Sequence, residues 1–577
     1  MKHPWRAIWC VDFEFAAPKG GHPVPLCVVA RDLIGGRTIR QWVDVGSPGP
    51  CPYGTGADDV FVAYYASAEI GCHLELGWPV PARIIDLCAE FKNLTSGLNL
   101  PHGRGQLGAL IYFGLQSIGA EEKREMQQLA GAGGPLDAEQ RAALLKYCES
   151  DVDGLARLWP AMRDRIDVPR AVVRGRYMAA LAAVERNGIP LDAPALAAIR
   201  EAWPTIRPQL IEAIDRQFGV FDGERFSMAR FEAYLAGRGI SWPRTTTGRL
   251  ELRDTTFKAR AQMHPELQPL RQLRDTLGAL KLFDLDVGDD GRNRTILGAF
   301  GSKTGRNQPS NTRFIFGPAA WVRHLIRPEP GMALAYIDFA QQEFAAAAAL
   351  SGDPAMLEAY RAADPYLAFA RMAGAVPAGA TKASHPVERE RFKVCALAVQ
   401  YGMGAESLAA SLNLPTAYGR DLLGQHKRTF PRFWKWVADV AATAASRRRL
   451  VAAFGWQLNV TAETRPTTLQ NWPCQAAGAE MLRLAIIAAV ARGIRVCAPV
   501  HDALLIEAPA ADIEATAAET SALMTHASRI VLGGEPVRTD VKIIRWPERY
   551  AEPRGAVLWK EICRLVPGPI GTPTCPQ

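Results

Sequence analysis

Two aspartates placed at the ends of strongly apolar runs constrain this chain more than any other feature. The run that opens at Met332 ends in Ala335-Tyr336-Ile337-Asp338-Phe339, and an alanine-rich helical pattern follows at once. A charge at the end of a buried strand is costly unless it has a partner, so Asp338 reads as a metal ligand or one half of an ion pair. The second is Asp502, in His501-Asp502 between apolar runs at 495–500 and 504–508, a pattern that puts it at the tip of a hairpin. Taken separately, each also fits a structural aspartate in a turn.

Between them, Pro386 opens a helical pattern over 388–401, as prolines often do at a first helical turn. Arg389, Lys393, Leu397 and Tyr401 recur every four residues. At about 3.6 residues per turn each step drifts by about 40°, so the four share one broad face. Two cations with an aromatic at the far end suit a triphosphate and a base, although a solvated basic face would carry the same cations.

A chain of 577 residues is too long for one hydrophobic core, and three regions separate by pattern. Residues 1–165 alternate strand-like runs, at 8–15, 25–30, 40–45, 60–65 and 83–87, with helical ones at 121–129 and 138–158, which predicts an α/β domain. Residues 166–290 read as a helical linker and a further helical unit, with helices over 174–187 and 194–218. Residues 291–565 mix long helices with a few apolar strands, and the proline- and glycine-rich tail 566–577 is expected to be disordered.

In the first region Asp12 and Glu14 stand two apart on a strand, so both carboxylates lie on one face with Val11, Phe13 and Phe15 on the other. Adjacent carboxylates repel, and a divalent cation is the usual remedy; an acidic solvent face is the blander account. Tyr147 and Asp151, four apart, share a face of the helix that closes the domain, and Glu69 follows the strand at 60–65. The eleven cysteines include no CxxC pair and no zinc-like spacing, and are read as reduced thiols rather than disulfides or metal ligands. No apolar run approaches the roughly 18 residues of a membrane span. A net charge of +8 is compatible with a polyanionic partner without requiring one.

The three C-terminal segments, in this order and with this internal spacing, resemble the motifs of family A DNA polymerases. Asp338 to Glu343 is similar to motif A. Arg389, Lys393, Tyr401 and Gly402 match motif B, and His501-Asp502 matches motif C. Thr304-Gly305-Arg306 resembles the TGR segment that meets the duplex minor groove. Asn471, Pro473 and Gln475 resemble the N-x-P-x-Q segment near primer and template, and Glu185 to Asp192 resembles the segment that opens the polymerase region. The first domain resembles DEDD 3′–5′ exonucleases of the tyrosine type, with Asp12, Glu14, Tyr147 and Asp151 in place and Glu69 where the family has aspartate.

The resemblance implies an α/β, RNase H-like exonuclease domain followed by a mixed α+β right-hand polymerase with palm, fingers and thumb. It implies template-directed addition of deoxynucleotides to a primer 3′-hydroxyl, with a 3′–5′ proofreading activity in the first domain. Two Mg2+ ions, with Mn2+ as an alternative, would be held by Asp338, the Phe339 carbonyl and Asp502, and a second set by Asp12, Glu14, Glu69 and Asp151. Arg389 and Lys393 would hold the triphosphate. Gln341, Glu343, Tyr366, Leu397 and Tyr401 would line the nucleotide site, Glu343 blocking a ribose 2′-hydroxyl. Arg306, Asn471, Gln475 and His501 would meet DNA.

Three positions depart from the family pattern. Leu397 replaces an aromatic, Ala503 a glutamate beside Asp502, and Tyr366 a phosphate-contacting histidine. The basic run Arg447-Arg448-Arg449 is expected to contact template or primer phosphates. Partners implied are primer–template DNA, dNTPs and replisome proteins such as a helicase or processivity factor, with no membrane. The expected compartment is the bacterial cytoplasm, or the host cytoplasm for a phage-encoded protein. Competing functions are a single-subunit RNA polymerase, a catalytically dead primer–template scaffold, and a nuclease whose second half only grips DNA.

Overall fold

The computed structural model describes residues 5–115, 120–131, 135–245, 247–277, 284–317 and 319–567. Of the expected tail only Val566 and Pro567 fall within them; the remainder lies outside the described residues.

The first region builds a five-stranded mixed sheet from β1 (Ala7–Ala16), β2 (Val24–Asp32), β3 (Thr38–Trp42), β4 (Asp59–Ala63) and β5 (Ile84–Asp86), in the order β3-β2-β1-β4-β5. β1 pairs antiparallel with β2 and parallel with β4, and β4 runs parallel to β5. Helices cover both faces, which is why β1 reads as a nearly unbroken apolar run. Trp9, Val11 and Phe13 enter one core and Ile8 and Cys10 the other. The strand expected at 40–45 lies at 38–42 because the chain turns at Asp44, whose Oδ1 accepts a hydrogen bond from Gly46 N at 2.9 Å.

Helix α1 (Ser67–Glu75) follows β4, and helix α2 (Ala138–Arg163) closes the domain behind a capping box formed by Asp137 and Gln140. Helix α3 (Val168–Asn187) begins just past residue 165 and is no flexible linker. It packs against α1 and β5 on one side and the C-terminal region on the other. Gly175 permits that fit, since a Cβ there would lie 2.0 Å from the Ile84 carbonyl oxygen. Arg174 of α3 forms a buried two-pronged ion pair with Glu90, at 2.5 and 2.7 Å.

Beyond α3 come helices at Ala193–Asp215, Met228–Gly237, Asp254–Met263 and Gln268–Leu277, in the region where a thumb is expected. The palm is a four-stranded antiparallel sheet of β6 (Met332–Phe339), β7 (Arg495–Val500), β8 (Ala503–Pro509) and β9 (Thr539–Arg545), ordered β7-β8-β6-β9. Helix α4 (Gln342–Ser351) leaves the end of β6, and α5 (Pro386–Gln400) and the helices that follow it to Arg447 lie in the region where fingers are expected.

Helix α6 (Pro466–Ala491) packs on β7 and α4. It is 26 residues long and, by length and composition, apolar enough to span a membrane, which corrects the expectation that no such run exists. Its apolar window is 67% buried inside the fold, the setting of a core helix. The α/β-then-mixed architecture expected from the sequence is the one observed.

Candidate active sites on the two sheets

In the palm, strand register places Asp338 opposite Ala503 of β8 on one side and Asp540 of β9 on the other. The His501-Asp502 turn joins β7 to β8, where Val500 pairs with Ala503, and Phe339 N donates to the Asp502 carbonyl at 3.3 Å. His501 holds φ at 57°, a left-handed conformation that hairpin turns usually give to glycine. Such strain is sustained where the surroundings fix it, here beside the Phe339–Asp502 backbone hydrogen bond.

Burial first, then the Asp502 charge and hydrogen bond and the Asp540 charge, push the Asp338 carboxyl up to about 7. Its Oδ1 is buried without a hydrogen-bond partner. Two clustered aspartates and the Phe339 carbonyl are hard oxygen donors with uncompensated charge, and they fit a divalent metal such as Mg2+.

The face of α5 is assembled as its spacing predicts, with its cations tied to nearby acids. Arg389 Nε donates to Asp364 Oδ2 at 2.7 Å and its guanidinium lies over the Tyr366 ring at 5.3 Å. Lys393 Nζ donates to Glu390 Oε1 at 3.0 Å. Tyr366 is buried, and burial raises its hydroxyl to about 12, so it acts as a neutral hydrogen-bonding group. Leu397 is half-buried one turn before Tyr401, which donates its hydroxyl to Glu343 Oε1 at 2.9 Å and is itself exposed.

Gln341 caps α4 with a left-handed backbone and a buried, unpartnered Oε1. Arg306 Nη2 donates to Gln342 Oε1 at 3.4 Å, and Asn471 is buried on α6 with its Oδ1 unpartnered. Gln475, one turn on, lies within hydrogen-bonding reach of the Tyr401 hydroxyl. Arg447, Arg448 and Arg449 are all exposed at the end of the last fingers helix.

In the first domain the five sequence-selected residues also come together. Glu69 is 4% exposed, with Oε2 unpartnered, and burial and then the Asp12 charge raise its carboxyl well above the ordinary range. The Tyr147 hydroxyl is raised by burial and then by Asp151, Glu14 and Asp12, which puts all four beside one another. Ligand atoms of Asp12, Glu14 and Cys148 lie within 4.8 Å of each other.

Two residues escaped the sequence reading. Asp540 sits on a strand that is mostly exposed, without the apolar run that marked the others. Cys148 carried no ligand spacing in sequence, because its partners lie on β1, 136 residues away. The ten described cysteines are all free thiols, but Cys148 is set among candidate ligands, which qualifies the reading of the cysteines as mere bystanders.

An antiparallel sheet with Asp338 on an inner strand beside the Asp502 turn, set between two helical regions of the chain, is the arrangement expected of a polymerase palm. Residues 302–545 match the family model of DNA polymerase family A. It is 24% identical over 412 residues to the thermostable DNA polymerase I of Thermus aquaticus, covering 66% of this chain and 48% of that protein. It is 23% identical to the DNA polymerase I of Aquifex aeolicus, over 70% of this chain and 76% of the relative. It is also 24% identical to a DNA polymerase of Mycobacterium phage L5, over 68% and 65%.

The chain spans about half the length of the Thermus relatives it matches. The fold matches the solved POL domain of Pol1 from M. smegmatis, in complex with DNA primer-template and dNTP, with a TM-score of 0.70. That match has 18% identity and covers 95% of this chain and 96% of the other.

Proposed function

We propose that this protein is a DNA-directed DNA polymerase that adds deoxynucleotides to a primer 3′-hydroxyl. The observation that carries this reading is the placement of Asp338 beside Asp502 at the end of the palm sheet, with α5 contributing Arg389 and Lys393. Asp338, the Phe339 carbonyl and Asp502 would hold two Mg2+ ions, for which Mn2+ is an alternative. Bound there, the metals supply charge that favours the attacking and leaving oxygens of an in-line phosphoryl transfer.

Arg389 and Lys393 bind the triphosphate by exchanging Asp364 and Glu390 for phosphate oxygens. Glu343, held by Tyr401, stands against a ribose 2′-hydroxyl. Arg306, Asn471, Gln475 and His501 position the duplex, and Arg447 to Arg449 add phosphate contacts that weaken as salt rises. Primer–template and dNTP are the ligands named for the M. smegmatis Pol1 structure, and we carry them over as substrates, with replisome proteins as further partners and the bacterial or host cytoplasm as the compartment. The test is extension of a labelled primer–template with Mg2+ and dNTPs. Extension that disappears in Asp502→Ala is expected, and extension that survives it rules the reading out.

A second activity has its own observation, the convergence of Asp12, Glu14, Glu69, Asp151 and Tyr147. We infer a 3′–5′ exonuclease whose metals these carboxylates hold. Divalent-metal-dependent shortening of single-stranded DNA without dNTPs should be lost in Asp12→Ala; shortening that is unchanged in that variant would exclude this site as its source.

A further inference from the structure

The carboxylate site of the first domain contains an atom that a purely oxygen-ligated metal site lacks. Cys148 follows Tyr147 on α2, is fully buried, and directs its Sγ onto β1, 3.2 Å from the Asp12 carbonyl oxygen and 3.5 Å from Asp12 Oδ2. A second observation points to a ligand at the same place. Glu69 is 4% exposed, its Oε2 has no hydrogen-bond partner, and its strongest charged neighbour is Asp12. A buried carboxylate oxygen without a partner, beside another acid, is the mark of a missing counter-charge.

We propose that Cys148 is itself a metal ligand, which makes this a mixed thiolate–carboxylate site for a borderline-soft divalent ion, Zn2+ or Cd2+, in preference to Mg2+. This rests on the reading of these carboxylates as a metal site. Tetrahedral Zn2+ with Zn–S of about 2.3 Å and Zn–O of about 2.0 Å has ligand-to-ligand edges of about 3.5 Å. That is the Sγ–Oδ2 separation observed, and Cys148, Asp12 and Glu14 together lie within 4.8 Å of one another. A thiol donating its proton to Asp12 is the metal-free arrangement of the same atoms. On binding, the S–H proton passes to solvent and the sulfur replaces one water of the hydrated ion, with no change of oxidation state. Thiolate favours Zn2+ and Cd2+, whereas Mg2+ prefers oxygen donors and gains little from sulfur.

The test is a Co2+ titration of the metal-free full-length chain, followed by displacement with Zn2+ and with Mg2+. A thiolate-to-Co2+ charge-transfer band in the near ultraviolet reports sulfur ligation, and its loss in Cys148→Ser assigns it to this site among the ten described free thiols. The expected result is a band that Zn2+ abolishes and equimolar Mg2+ leaves intact. Cys148→Ser should lose the band and bind Zn2+ about tenfold or more weakly, while Cys27→Ser, which alters the neighbouring thiol, should keep it.

A wild-type Co2+ complex without the band overturns the proposal and needs no variant that might misfold. A band that persists in Cys148→Ser overturns it as well. Failure of the exonuclease reading is distinguishable: if Asp12→Ala retains DNA shortening, the carboxylates are misassigned; if shortening is Asp12-dependent but the band is absent, only the sulfur ligand is.

Discussion

At the scale of single residues, Asp338 concentrates the tension in the palm. Its carboxyl is raised from 3.8 to about 7, first by burial and then by Asp502. A carboxyl raised in the folded state holds a proton that the unfolded chain has released. Its contribution to stability is therefore complete below the unfolded value and is lost as pH rises through about 7. Without metal, Asp338→Asn should be more stable than the parent at pH 8 by about 1–2 kcal/mol, a figure reduced for solvent screening.

The difference should shrink at pH 5, and thermal unfolding at both pH values checks the sign. The same variant should not extend primers. At Glu343, Glu343→Ala removes the acid that Tyr401 holds at 2.9 Å and should raise ribonucleotide incorporation relative to deoxynucleotide, as a competition assay would read. Asp338, Asp502 and the acids of β1 were legible because charge inside an apolar run is conspicuous. Asp540 and Cys148 were not, because their significance comes from cross-strand register and from a contact 136 residues distant.

At the scale of elements, α4 and α6 meet at a glycine. A Cβ on Gly478 would lie 2.4 Å from Gln342 Oε1, the acceptor of Arg306. Gly478→Ala should therefore displace the Gln342 amide, with a change of less than about 1 kcal/mol in denaturant unfolding because the helix gains from Ala over Gly. It should also weaken primer–template binding, because Arg306 loses its support. Strands with continuous apolar runs were found in sequence to the residue, as at Met332–Phe339 and Arg495–Val500. The fourth palm strand, Thr539–Arg545, escaped because most of its side chains face solvent at the sheet edge. Helix α5 was recognisable from its proline and its four-residue spacing, whereas Asp364 and Glu390, the acids that occupy its cations, had no signal of their own.

At the scale of the whole molecule, α3 ties the parts together. Arg174 meets Glu90 of the first domain and donates to the Phe454 carbonyl at 3.1 Å, while Asn187 Nδ2 donates to the Val496 carbonyl in the palm at 2.9 Å. Breaking one side of a buried ion pair leaves the other charge stranded. Glu90→Ala should therefore destabilise the protein by about 3–5 kcal/mol and move the unfolding of both domains together, visible as one shifted calorimetric transition; two separated transitions would show that the domains are not coupled through α3. Residues of α3, β1 and β7 share one continuous core. No motif forecast that union, since it depends on close approaches such as Gly175 against Ile84. Its consequence concerns traffic: α3 joins the parts that carry the two carboxylate centres, so, if both proposed activities hold, a frayed primer end would itself have to make the crossing between them.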